Sequence, residues 1–120
     1  MAIVLHEPDA SVYVSAILND PVRLLSAATL VEASVVAMRR RSGDVSAALD
    51  TLLKRMRIEV IAVDRDQALL ARDAFRQFGK GRHHAGLNFG DCFSYALAKQ
   101  TGEPLLFKGS DFSRTDVRVA

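Results

Sequence analysis

The stretch GLNFGDCFSYALAKQTGEPLLFKGSDF, residues 86–112, holds a helix, a turn and a strand, with one acid at each end of the run. Asn88 is a helix N-cap. Behind it Phe89, Cys92, Phe93, Ala96 and Leu97 recur at helical spacing, and Gly102 stands just past the end. Asp91 therefore falls in the first helical turn. A short strand over Pro104–Lys108 follows at once, and Gly109 releases the chain before Asp111. In an α/β sheet the carboxyl ends of parallel strands and the amino ends of their helices share one edge, where ligands bind. Two separately encoded carboxylates are thus expected at one crevice.

Working outward, Asp64 with Gln67 three residues later has the form of a capping box. The helix it opens carries Ala68, Leu69, Ala71, Ala74, Phe75 and Phe78 inward. Ile58–Val63 before it is the most strand-like run in the chain. Asp44 or Ser46 caps a helix to about Arg57, and Ser26 or Thr29 caps another to about Ser42, whose last turn holds Arg39, Arg40 and Arg41. Val22–Leu25 reads as a brief strand. Pro8 suits the first turn of a helix ending at Asn19, with Ala10, Tyr13, Val14, Ile17 and Leu18 on its apolar face. Met1–Leu5 is an apolar run whose periodicity does not choose between strand and helix. Val117–Val119 is a candidate last strand. Helices alternating with short apolar strands indicate a layered α/β domain built on a parallel sheet.

The 120 residues, 49% hydrophobic and 25% charged, suit one domain over residues 1–120 with a real core. A formal charge of +2 permits a polyanionic partner without demanding one. The single cysteine, Cys92, fits a reducing compartment, so the cytoplasm is expected. No leader opens the chain and no apolar run approaches the roughly 18 residues of a membrane span, so no membrane partner is expected.

Glu32 is a third acid of interest. It is the only ionisable residue in AATLVEASVVAM, residues 27–38, and Asp91 is the only charge between Leu87 and Ala98. An ionised carboxylate in apolar surroundings needs a cation, a donor or a proton. Taken singly, Glu32 also fits a solvated helix face and Asp91 a favourable first-turn charge. Taken together, Glu32, Asp91 and Asp111 map to one sheet edge, and like charges about 4 Å apart repel by roughly 4 kcal/mol. Such a cluster calls for a divalent cation. All-oxygen ligands point to Mg²⁺ or Mn²⁺, which support phosphodiester hydrolysis. Asp116 fits either a fourth ligand or supporting acid, or a solvated turn. Cys92 shares the apolar helix face and reads as core, not nucleophile. His83 and His84, in the loop Gly79–Gly86 with Lys80 and Arg82, suit phosphate contact or plain solvation. KGRHHAG has neither the Walker nor the dinucleotide spacing.

Glu32, the run GRHHAGLNFGDCFSYALAK and LLFKGSDF together resemble the PIN-domain ribonuclease toxins of the VapC family, over essentially the whole chain. The resemblance implies a three-layer α/β/α fold with a parallel sheet, a Mg²⁺ or Mn²⁺ site and RNA cleavage. It also implies a homodimer neutralised by a VapB-like antitoxin. Glu32 matches the family's helix glutamate, Asp91 its helix-start aspartate and Asp111 the aspartate after the last main strand; Asp116 resembles a supporting acid. The family usually opens with a strand ending in Asp-Thr/Ser-Ser-Ala, and MAIVLHEPDA resembles the segment just after that motif. On this reading the central first strand is missing, the chain is shortened at its N-terminus, and Met1–His6 is helical. Two functions are then open: a metal-dependent endoribonuclease toxin, or a catalytically inactive PIN-like module that binds an antitoxin or RNA.

Overall fold

Apolar runs buried on both faces are the mark of strands enclosed between helical layers. The computed structural model describes residues 1–3, 14–40, 46–106 and 112–119. Four strands, β1 (Ala2–Ile3), β2 (Leu24–Ser26), β3 (Glu59–Ile61) and β4 (Leu105–Leu106), pair in parallel in the order β3-β2-β1-β4. β1, β2 and β4 are buried throughout, whereas β3 is an edge strand whose exposed Glu59 and Val60 face solvent. The helices are α1 (Val14–Asn19), α2 (Ala27–Arg40), α3 (Ser46–Arg55), α4 (Arg65–Phe78) and α5 (Phe89–Thr101). One core joins Ala2, Leu24 and Leu105 to Ala71 and Ala74 of α4 and to Cys92, Tyr95, Ala96 and Leu97 of α5. The other joins Ile3, Leu25 and Leu106 to Ile17 of α1, Ala33 of α2 and Leu49 and Leu53 of α3. Alternation along two-faced strands thus produces the three layers that the family resemblance implies.

The centre of the sheet corrects one expectation. Ala2–Ile3 is strand, not the start of a helix over Met1–His6, and it fills the central place between β2 and β4 that was expected to be vacant. The reason is the sheet's demand for partners. Ala2 N–H donates to Pro104 O at 2.9 Å and Met1 O accepts from Leu24 N–H at 2.9 Å, backbone groups that burial would otherwise leave unsatisfied. Ala2 is small enough for the α4–α5 side and Ile3 fills the opposite core. Residues 4–6 of the expected helix lie outside the described residues, as does the first part of the helix expected from Pro8.

Side-chain caps set the starts of α2 and α4. Ser26 Oγ accepts from Ala28 N–H at 3.3 Å, so Ser26 opens α2, while Thr29 turns toward α5. Asp64 caps α4 by accepting from Gln67 N–H at 2.8 Å. The reciprocal half of that expected capping box is not made. Gln67 is fully buried, and its Oε1 instead accepts from Ser26 Oγ at 2.7 Å. The last expected strand reduces to one parallel bridge between Leu105 and Val119, following a 3-10 turn at Phe112–Arg114.

Candidate metal centre

Because β4 lies on the opposite side of β1 from β2 and β3, the strand order reverses between β1 and β4. Open α/β sheets bind ligands in the crevice at such a reversal, outside the carboxyl ends of the strands. β2 runs directly into α2 at this edge, and α5, which precedes β4 by a short turn, begins there.

Glu32 sits in the second turn of α2 and reaches the start of α5. A Cβ built on Gly90 would lie 1.8 Å from Glu32 Oε2 and 2.6 Å from Oε1, so the carboxylate occupies the space a side chain would need. One helical turn earlier, Thr29 Oγ1 lies 3.0 Å from Ser94 Oγ; both residues are buried, and the pair locks α2 against α5. Asp91 is next to Gly90 and only 4% exposed. Its Oδ2 accepts from Asn88 N–H at 3.2 Å while Asn88 Oδ1 accepts from Asp91 N–H at 2.9 Å, a complete capping box. The partial positive charge at the start of α5 favours both carboxylates. Glu32, from a distant segment, therefore reaches the helix end that bears Asp91. Asp111, the third candidate, lies outside the described residues. Among the described residues no group of three acidic, histidine or cysteine side chains is close enough to hold an ion.

Asp116 stands elsewhere along α5. Its Oδ1 accepts from the Tyr95 hydroxyl and its Oδ2 from Lys99 Nζ at 3.1 Å, one and two turns beyond Asp91. The Tyr95 hydroxyl, and then Lys99, hold the Asp116 carboxyl below its ordinary range. Burial, then Asp116, pushes Tyr95 up. Cys92 is core, as expected: it is buried, its Sγ donates to Asn88 O at 3.2 Å, and burial with the Asp91 charge pushes its thiol up to about 11.

The structure also shows participants that the sequence reading passed over. Gly90 is one. A glycine inside a helix costs roughly 0.5–1 kcal/mol relative to alanine, and at N-F-G-D it stands next to an acid, which was the available signal of a close approach. Thr29, Ser94 and Tyr95 gave none, since their partners are remote in sequence.

Does a divalent cation fit here? The donor set is all oxygen, and the glycine cradle brings Glu32 to the helix end bearing Asp91, which suits a hard cation. The chain matches the PIN domain family over residues 1–118. Ribonuclease VapC of Mycolicibacterium smegmatis is 51% identical over 117 residues, covering 98% of this chain and 91% of that protein. Ribonuclease VapC30 of Mycobacterium tuberculosis is 48% identical over 117 residues, 98% of this chain and 89% of the relative. Ribonuclease VapC28 of the same species is 48% identical over 121 residues, 100% and 91%.

Proposed function

The chain belongs to the VapC family of PIN-domain ribonucleases, and on that premise we propose that Glu32, Asp91 and Asp111 form one divalent-cation site for hydrolysis of RNA phosphodiester bonds. It is a toxin endoribonuclease by family; the reading as a catalytically inactive module gives way to the ribonuclease named in each of these relatives. Family members generally depend on a divalent metal, and oxygen-only donors favour Mg²⁺ or Mn²⁺ here. When bound, such an ion stabilises charge on the scissile phosphate and acidifies a water. The chain's own groups do the rest: Glu32 and Asp91 bind, Gly90 admits the Glu32 carboxylate, and the Asn88 cap fixes Asp91. Asp116, with both oxygens taken by Tyr95 and Lys99, is assigned the supporting role and steadies α5.

The single observation that carries this reading is the Glu32 carboxylate lodged over Gly90 beside Asp91. Cleavage of single-stranded RNA in Mg²⁺ should fall more than about 100-fold in Glu32→Gln, Asp91→Asn and Asp111→Asn. Mn²⁺ binding, read by electron paramagnetic resonance without RNA, should weaken in the same three. Undiminished Mn²⁺ binding by Glu32→Gln would remove Glu32 from the site.

The proposed partners are RNA, a second copy and a VapB-like antitoxin. Val31, Val35 and Met38 form an exposed stripe along α2, with Leu18 exposed on α1, the spacing that receives an amphipathic helix. Phe75, Phe89 and Phe93 line an apolar cleft of about 430 Å³ between α4 and α5, with Phe89 78% exposed. We assign the stripe to the antitoxin and the cleft to the second copy. Among the described residues no helix is long and apolar enough to cross a membrane.

A further inference from the structure

The loop between α4 and α5 carries two adjacent histidines that the metal site does not use. His83 and His84 stack on one another, ring centroids 4.1 Å apart and 28° between planes. His83 is fixed on two sides: its ring meets Phe78 edge to face at 5.2 Å, and its Nδ1 accepts from Ala85 N–H at 3.0 Å. His84 is exposed, with His83 stacked on one face of its ring.

The loop itself is tied down. Lys80 N–H donates to Leu87 O at 2.8 Å and Leu87 N–H to Phe78 O at 2.9 Å, closing its base one residue before the Asn88 cap. Gly81 and Gly86 take φ of 85° and 65°, left-handed conformations that let the segment fold back so tightly. From the other side, Arg114 Nη1 donates to His84 O at 3.1 Å, out of the 3-10 turn that follows Asp111. His84 is therefore tied through its carbonyl to the 3-10 turn at Phe112–Arg114, in a loop that ends at the Asn88 cap of α5. Residues 79–90 contain Lys80 and Arg82 and no acid.

We propose that the exposed ring of His84, backed by His83 and Phe78, is a stacking platform for an unpaired base of the RNA next to the scissile phosphate. Lys80 and Arg82 attract the strand's phosphates. The inference rests on the ribonuclease reading of the neighbouring acids and deepens it. An aromatic plane already stacked in place binds a base at reduced ordering cost, and a loop with Lys80 and Arg82 and no acid of its own suits a polyanion over an apolar peptide. The pairing of stacking surface with cationic track is the usual physics of single-stranded nucleic-acid sites.

The test uses the whole chain and a short unstructured RNA in which 2-aminopurine replaces each base in turn. With the parent chain, fluorescence quenching should mark one position beside the cleaved bond. His84→Ala should abolish that quench and raise Kd and KM about tenfold or more, with kcat little changed; His84→Phe should restore both. Lys80→Ala should reduce the slope of log Kd against log salt by about 0.7, whereas His84→Ala leaves that slope alone. Retained quenching and an unaltered KM in His84→Ala overturn the platform. So does a His84→Phe variant as weak as His84→Ala, which would make the imidazole a polar contact. Loss of antitoxin binding with RNA affinity intact would make the loop a protein surface and also overturn it. Failure of the metal site reads differently: Glu32→Gln and Asp91→Asn should lose cleavage while keeping the quench.

Discussion

At Gly90 a single missing methyl group decides whether two distant segments can share a site. An alanine there would place its Cβ 1.8 Å from Glu32 Oε2, a contact no packed pair tolerates, and the flexible glutamate is the part that must swing away. Alanine is the better helix former by roughly 0.5–1 kcal/mol. Gly90→Ala is therefore expected to keep or slightly raise the melting temperature while Mg²⁺-dependent RNA cleavage falls about 100-fold, the scale of a 1 Å misplacement. Equal losses of stability and activity would mean that Gly90 serves packing alone. Cys92 offers a second check at this scale. With its thiol pushed up to about 11 and its side chain buried, it should resist iodoacetamide at pH 8 in the native chain and react on unfolding.

Helix ends are where local chemistry and the site overlap. The Asn88–Asp91 box caps α5 with the same carboxylate proposed to bind the cation, so structure and function compete for its oxygens. Asp91→Asn keeps an acceptor for Asn88 N–H but loses a charge at the helix start, and should cost under about 1 kcal/mol of stability. Asn88→Ala removes the cap itself and should cost about 1 kcal/mol. Urea melts of the two variants separate these effects, and a larger loss in Asp91→Asn would make Asp91 chiefly a structural residue. α4 shows the other outcome of the same local code. Asp64 and Gln67 have the spacing of a box, yet buried Ser26 outcompetes the local partner, and Gln67 Nε2 turns to Ala62 O at 3.4 Å. Gln67→Leu should lose about 1–3 kcal/mol, because Ser26 Oγ would be left buried without its acceptor.

For the whole molecule, the shifted groups set the pH range of the fold. Asp20, Asp64 and Asp116 are all held below 3.8, chiefly by the Val22 N–H, the Gln67 N–H and the Tyr95 hydroxyl respectively. Each binds a proton less readily folded than unfolded, so its contribution is full above about pH 4 and is lost as pH falls through the lower folded value. Cys92 has the opposite sign: its contribution is full below 9.0 and lost as pH climbs toward about 11, and buried Tyr95 adds to it. Melting temperature should be flat from about pH 5 to 8 and fall on both sides; a fall already present at pH 6 would contradict these assignments. Much of this architecture was legible from order and period alone. The alternation of apolar runs, the caps at Asp64 and Asn88 and the acids isolated at Glu32 and Asp91 are local signals, since they arise from groups within a few residues of each other. The layered α/β fold and the sheet edge bearing the acids derive from them. Tertiary structure alone decided the rest. Ala2–Ile3 is strand because Leu24 and Pro104 need backbone partners, Gln67 faces inward because Ser26 is there, and Glu32 reaches the start of α5 because Gly90 leaves it room. Each of these outcomes depends on a partner far away in the chain, where no pattern of spacing reaches.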